Sequence, residues 1–265
     1  MRSNCKLIRR SAMSRMRQIC LVARDLDAAE AHLCAIFGLE VCYRDPNIGR
    51  LGLRNFLLPV GNNFLEVVAP MREGTTAERY LERRGGDGGY MVIAQCDDIA
   101  AARERVAGLS IRLVADMGQG EDQGIQLHPK DVPGAIVELR QNHGAGDDDP
   151  PWDPAGPDWA PARRLDVVRA MLAAEIQTDD PTALAARWSE VFDRAVSTSD
   201  AGHPRIAFDD ATVRFVPATD GRGLGLGGLD IQTVDRQRVL EAAESRGCLA
   251  SDDLVLVCGM RFRLV

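Results

Sequence analysis

The sequence predicts an α+β fold built by repeating one strand–helix unit, on three observations. A short apolar run is followed by an aspartate and then by apolar residues at helical spacing, first at residues 18–37. The same arrangement returns at an offset of about 73 residues, with Asp98 in the place of Asp25, which is the mark of internal duplication. Between the helical stretches lie short β-prone runs punctuated by glycine, proline and asparagine.

In the first unit, residues 18–23 suit a buried strand and Asp25 caps the helix that follows. Leu26, Ala29, Leu33, Ile36 and Phe37 give that helix its apolar stripe, and Gly38 ends it. Residues 41–44, 50–58 and 63–69 read as strands, separated by Pro46, Gly49 and the Gly61-Asn62-Asn63 turn. A short helix over residues 76–84 leads to the glycine run 85–89, which reads as a flexible hinge. The second unit has its strand at residues 91–96, with Ala101 and Ala102 opening its helix. It closes with residues 124–130, a turn at 131–134 and a strand ending at Arg140. Residues 142–163 are rich in Pro, Gly and Asp and read as a connector that Trp152 and Trp159 pin to a barrel. A third copy starts at Ala173, where Asp180 answers Asp25 and Phe192 answers Phe37; a fourth, weaker one starts near Leu229.

These repeats resemble the vicinal oxygen chelate superfamily, the fold of glyoxalase I, methylmalonyl-CoA epimerase, bleomycin-resistance proteins and extradiol dioxygenases. The resemblance implies four βαβββ modules, paired into two tandem glyoxalase-like domains with curled mixed sheets. The expected boundaries are a disordered tail at 1–15, a first domain at 16–141, a linker at 142–163 and a degenerate second domain at 164–265.

The composition narrows the setting. A net charge of −7 without a dense basic stripe argues against nucleic acid as a partner. Seven scattered cysteines, an odd number with no C-x-x-C pair, fit reduced thiols in a cytoplasmic protein. No apolar run approaches transmembrane length, and the basic start lacks a signal-peptide core, so Met13 or Met16 could be the true start. The expected partner is a small molecule, with a homodimer possible.

The superfamily holds a divalent metal on four inward-facing strand positions. Carried over one by one, these fall on Gln18, Glu66, Met91 and Glu138. Gln18, Glu66 and Glu138 could hold an ion such as Mg²⁺, Mn²⁺, Co²⁺, Ni²⁺ or Zn²⁺ through oxygen, whereas Met91 is a poor partner for hard ions. The alternatives are a metal-free cavity, or Arg140, two residues beyond Glu138, neutralising the carboxylate. The corresponding second-domain positions are Ala173, Arg214, Leu229 and Arg263, with Asp230 able to replace Leu229. There Glu175 is expected to pair with Arg214 or Arg263.

The resemblance implies an isomerase, epimerase or lyase acting on a small α-hydroxy or α-keto compound, with Glu66 or Glu138 as the catalytic base. His128, Lys130 and Arg140 are candidate substrate-binding residues, since a similar His-Pro-Lys element occurs in epimerase-like members. The competing reading is a metal-free binding protein of the bleomycin-resistance type. His32, His143 and His203 show no evident partner, and an extradiol dioxygenase is set aside because no two histidines fall on ligand positions.

Overall fold

Four aspartates start the helices of the four repeats. Asp25, Asp98, Asp180 and Asp235 each accept a hydrogen bond from the backbone N–H three residues on, at 2.9–3.0 Å. Each bond satisfies one of the free donors at a helix N-terminus. A computed structural model of the chain describes residues 14–119, 122–142 and 151–265. Of the expected tail at 1–15, residues 1–13 lie outside the described residues, as does His143, whereas Ser14 and Arg15 are not tail but the start of the first strand, where they pair with Cys96 and Gln95.

The first half forms one seven-stranded mixed sheet. Its opening repeat is β1 (Ser14–Val22), α1 (Leu26–Phe37), β2 (Leu53–Val60) and β3 (Asn63–Pro70). Helix α2 (Thr76–Arg84) leads to the second repeat: β4 (Gly88–Cys96), α3 (Ile99–Gly108), β5 (Leu113–Gln119), β6 (Asp122–Leu127) and β7 (Ile136–Gln141). The strand order is β2-β3-β1-β4-β7-β6-β5. β1 runs parallel to β3 and antiparallel to β4, and β4 runs parallel to β7. The two repeats thus join through their first strands, and the expected ligand strands become the four central neighbours.

The second half repeats the plan with β8 (Val168–Thr178), α4 (Pro181–Phe192), β9 (Val196–Thr198), β10 (Pro204–Ala207) and β11 (Thr212–Pro217). It continues with β12 (Gly225–Thr233), α5 (Arg236–Ser245), β13 (Leu249–Ser251), β14 (Leu254–Val257) and β15 (Met260–Leu264). These form an eight-stranded sheet in the order β13-β14-β15-β12-β8-β11-β10-β9. Among the described residues, this two-domain arrangement of mixed sheets and five α-helices is the α+β architecture expected from the repeats.

Strand alternation sorts each sheet into two faces. Ile19, Leu21, Val92, Ala94, Val137 and Leu139 share one apolar core with Ala174, Ile176, Leu229 and Ile231 of the second sheet. The two halves interlock across this core: Phe37 of α1 meets Phe262 of β15 with centroids 5.0 Å apart, and Arg105 Nε of α3 donates to Val191 O of α4 at 2.8 Å. The opposite faces carry the polar residues, with Gln18, Glu66, Glu138 and Arg140 on the first sheet.

Two local readings change. Residues 41–44 are not a strand; a single bridge links Tyr43 to Leu57, because Cys42 and Tyr43 pack instead against the connector. The glycine run is not a free joint either. Gly85 caps α2, and Gly88 and Gly89 lie in β4. A Cβ on Gly89 would stand 2.3 Å from Leu226 Cγ, so this glycine lets β4 approach β12.

Candidate functional site

Glu66 sits in the middle of β3 and is anchored by neutral donors. Gln18 Nε2 donates to its Oε2 at 2.8 Å, and Asn55 Nδ2 donates to its Oε1 at 2.7 Å. Asn55 belongs to β2, where it pairs with Val68 across the ladder and accepts from Asp45 N–H at 2.9 Å. Burial pushes the Glu66 carboxyl up, and its bonds to Asn55, Cys20 and Gln18 oppose that push.

Glu138 is on β7, beside β4, and its partner is a cation. Arg140 Nε lies 3.1 Å from Glu138 Oε1, so the arginine weighed from the sequence as a neutralising partner is in contact. The guanidinium also reaches Asp153 Oδ2 at 3.8 Å. Burial nevertheless dominates: the Glu138 carboxyl is pushed up to about 7, with Arg140 opposing and the nearby Glu66 adding to the rise. Two carboxylates are close enough to feel each other on one shielded face. Cys20 lies on it too, its thiol pushed well up by burial and then by Glu66.

The connector covers this face. Trp152 is 1% exposed and Trp159 4%, and both pack with Leu57, Phe64 and Ile93. Trp159 meets Phe64 edge-on with centroids 5.0 Å apart. Arg17, at an irregularity of β1, lies over the rings of Phe64, Trp152 and Trp159 at 5.3–5.9 Å. Trp152 Nε1 donates to Gln18 Oε1 at 2.6 Å. An indole nitrogen can only donate, so this bond fixes which end of the Gln18 amide faces the tryptophan and turns its NH₂ to Glu66.

The donor set can now be tested against the superfamily's metal. Gln18 Oε1 is taken by the indole, both Glu66 oxygens by amides, and Glu138 Oε1 by a guanidinium. Met91 Sδ receives Gln126 Nε2 at 3.9 Å. In this arrangement the four positions do not fit a divalent ion: Gln18 and Glu66 turn their oxygens to protein donors, Met91 offers only sulfur, and a guanidinium sits beside Glu138. Among the described residues no group of three His, Cys, Asp or Glu side chains is placed to hold a metal.

The other predicted residues lie elsewhere. His128 follows β6 and is engaged locally, its Nδ1 accepting from Lys130 N–H at 3.2 Å. Lys130 is exposed. The turn they form docks on the second sheet's helix, where Trp188 Nε1 donates to Pro133 O and Arg187 Nε to Asp131 O, both at 2.9 Å. The second sheet's polar face holds an ion-pair network. Arg214 bonds Asp230 and reaches Glu175 Oε2 at 3.3 Å, and Arg261 binds Glu175 Oε1 at 2.9 Å. Asp230, not Leu229, takes the inward position, and Leu229 is in the common core.

Sequence reasoning missed Asn55, Cys20 and Gln95. Cys20 and Gln95 share the parity of Gln18 and Met91 along their strands, which is the signal that could have found them. Gln95 is fully buried and neither end of its amide has a hydrogen-bond partner.

The comparisons with known proteins agree with this architecture. A family model described as a glyoxalase-like domain matches residues 19–192, well over half the chain. The chain belongs to the glyoxalase-like domain family. That places it in the vicinal oxygen chelate superfamily. A glyoxalase-like relative, the ethylmalonyl-CoA/methylmalonyl-CoA epimerase of Cereibacter sphaeroides, is 28% identical over 136 residues, 49% of this chain and 98% of its own. The mitochondrial methylmalonyl-CoA epimerase of Mus musculus is 26% identical over 132 residues, 49% of this chain and 74% of its own. Over the whole length, the glyoxalase-like fold matches a hypothetical protein from Staphylococcus aureus, with a TM-score of 0.67 and 11% identity, covering 96% of this chain and 99% of that one. A mutant of 4-hydroxymandelate synthase from Streptomyces coelicolor matches with a TM-score of 0.66 and 17% identity, covering 89% and 76%. Among the described residues no helix is long and apolar enough to cross a membrane.

Proposed function

We propose that this glyoxalase-like protein is an isomerase or epimerase that moves a proton α to a carbonyl of a small α-hydroxy or α-keto compound, on the first sheet's polar face. The carrying observation is Glu138, a buried carboxyl pushed up to about 7 with a guanidinium beside it. A base that titrates near neutral pH can both take and return a proton. Arg140 supplies positive charge where an enolate oxygen would develop, in a shielded setting that strengthens the interaction. Glu66, held by two amides, positions Gln18 and shapes the floor. The epimerase relatives, which match 49% of the chain, support the reaction class, and a thioester is a natural member of the substrate panel. Trp152 occupies the space above Gln18, so turnover requires the connector to lift.

A second reading has one observation in its favour. The face is closed by the chain's own tryptophans and the expected metal donors are engaged, which suits a metal-free protein that sequesters a ligand without chemistry.

The two readings separate in one experiment. α-Proton exchange into deuterated water is followed by NMR for a panel of α-hydroxy acids, α-keto acids and acyl thioesters, including methylmalonyl-CoA. The enzyme reading predicts exchange by the native chain that falls at least about 100-fold in Glu138→Gln, the usual scale of a lost general base. Binding of a panel member without exchange, in both the native chain and Trp152→Ala, would support sequestration instead.

A further inference from the structure

Gln95 is a polar side chain that the fold buries and leaves without a partner. It is fully buried, and neither Oε1 nor Nε2 makes a hydrogen bond. Most buried amides are bonded, because an unpaired donor or acceptor loses the bonds that water would give it. A leucine would fill the same space without that cost, so packing alone does not account for a glutamine here.

The sheet fixes where this amide stands. Val92, Ala94 and Cys96 of β4 belong to the common core, so Met91, Ile93 and Gln95 point to the polar face. Ile93 packs with Trp152 and Trp159, which places this row beneath the connector. Across the parallel ladder Ile93 is level with Glu138, and Gln95 is level with Arg140. Neighbouring strands lie about 4.8 Å apart. The amide is therefore next in line to the guanidinium whose Nε lies 3.1 Å from Glu138 Oε1. Base, cation and unpaired amide are adjacent on one covered face.

The two ends of the amide make opposite demands. Oε1 needs a donor, and Nε2 needs an acceptor. A ketone or a carboxylate offers acceptors alone. A hydroxyl on the carbon next to a carbonyl offers both, from adjacent positions.

We propose that Gln95 recognises the hydroxyl of an α-hydroxy carbonyl ligand. Its Oε1 accepts from that hydroxyl, and its Nε2 donates to the neighbouring carbonyl oxygen, to which Arg140 adds positive charge. This rests on the first sheet's polar face being the ligand site, in either its enzymatic or its sequestering form, and it narrows the ligand to the α-hydroxy class. An α-keto compound leaves Oε1 unpaired, and a site built to bond a hydroxyl rejects the analogue that lacks one. Entry requires the same lifting of the connector as turnover.

The test is NMR titration of the full chain with two matched pairs, lactate with pyruvate and phenyllactate with phenylpyruvate. At least one hydroxy acid should saturate, and its keto counterpart should bind at least about 10-fold more weakly, the scale set by a buried acceptor left unpaired. Gln95→Leu should bind the two members of that pair alike. It should also melt above the native chain, since it removes an unsatisfied amide from the interior. Proton exchange into deuterated water is followed in the same samples. Its absence, with Gln95-dependent binding intact, sinks the enzymatic reading and still supports this one. Failure of both hydroxy acids to saturate overturns the proposal. So does equal binding of hydroxy and keto acids by the native chain, or Gln95→Leu retaining the native preference. A lower melting temperature for Gln95→Leu also overturns it, because the amide would then have a partner within the fold.

Discussion

Trp152→Ala lowers the stability of the chain by about 3–5 kcal/mol, the range for removing a large aromatic from a packed site. The side chain is 1% exposed, lies against the Phe64–Trp159 cluster and has Arg17 over its ring at 5.6 Å. Alanine removes these contacts and leaves Gln18 Oε1 without its donor. Trp152→Phe separates the two losses. It keeps most of the ring area and drops only the hydrogen bond, so it should cost about 1–2 kcal/mol. Urea denaturation of the three proteins measures both differences. A Trp152→Ala variant within about 0.5 kcal/mol of the native chain, the scale of neutral surface changes, would show that the connector is not packed on the face.

Arg214→Met is the second large effect. Arg214 bonds Asp230 through both terminal nitrogens and reaches Glu175 at 3.3 Å; the two acids are 9% and 7% exposed. Removing one partner of a buried ion pair costs about 3–5 kcal/mol, because the remaining charge is shielded from water and uncompensated. Arg261 still holds Glu175 at 2.9 Å, and the half-exposed Arg263 stands 3.9 Å from Asp230. The expected loss is therefore at the lower end, about 3 kcal/mol. Adding Asp230→Asn to Arg214→Met should recover most of it, a coupling that a double-mutant cycle reads directly. Equal losses with and without Asp230→Asn would mean that the arginine acts by packing alone.

The repeats were legible because their signals are local. An aspartate cap three residues before a bonded N–H, an apolar helix stripe and alternating strands all sit within about twenty residues, the scale on which sequence pattern works. Parity along each strand then placed Gln18, Glu66 and Glu138 on one face, and Arg140 within reach of Glu138. What reaches across the fold was not legible. Trp152 was expected to pin the connector to a barrel, but nothing local says that its indole bonds Gln18, 134 residues away. Gly89 looked like part of a hinge because the residue it makes room for, Leu226, is far away in the sequence. Asn55 became visible only when β2 paired with β3. A cavity lined by Arg15, Asn63, Arg169 and Asp210 draws on four distant stretches of chain, so no window of sequence contains it.

The central claim is that the first sheet's polar face holds a carboxyl poised near neutral pH, and Glu138 is the place to measure it. With ¹³C-labelled glutamate, the Glu138 side-chain resonance, assigned by its absence in Glu138→Gln, should titrate with a midpoint of about 7. Stability supplies the same answer with a definite sign. The folded-state value lies above the ordinary 4.5, so the group favours the fold most when protonated, and that contribution is lost as pH rises through about 7. Glu138→Gln should therefore gain on the native chain between pH 5 and pH 9, by up to about 3 kcal/mol at about 1.4 kcal/mol per unit. A midpoint at or below 4.5 would contradict the account: Arg140 would then fix Glu138 as a permanent anion, and the face would hold no base able to exchange a proton near neutral pH.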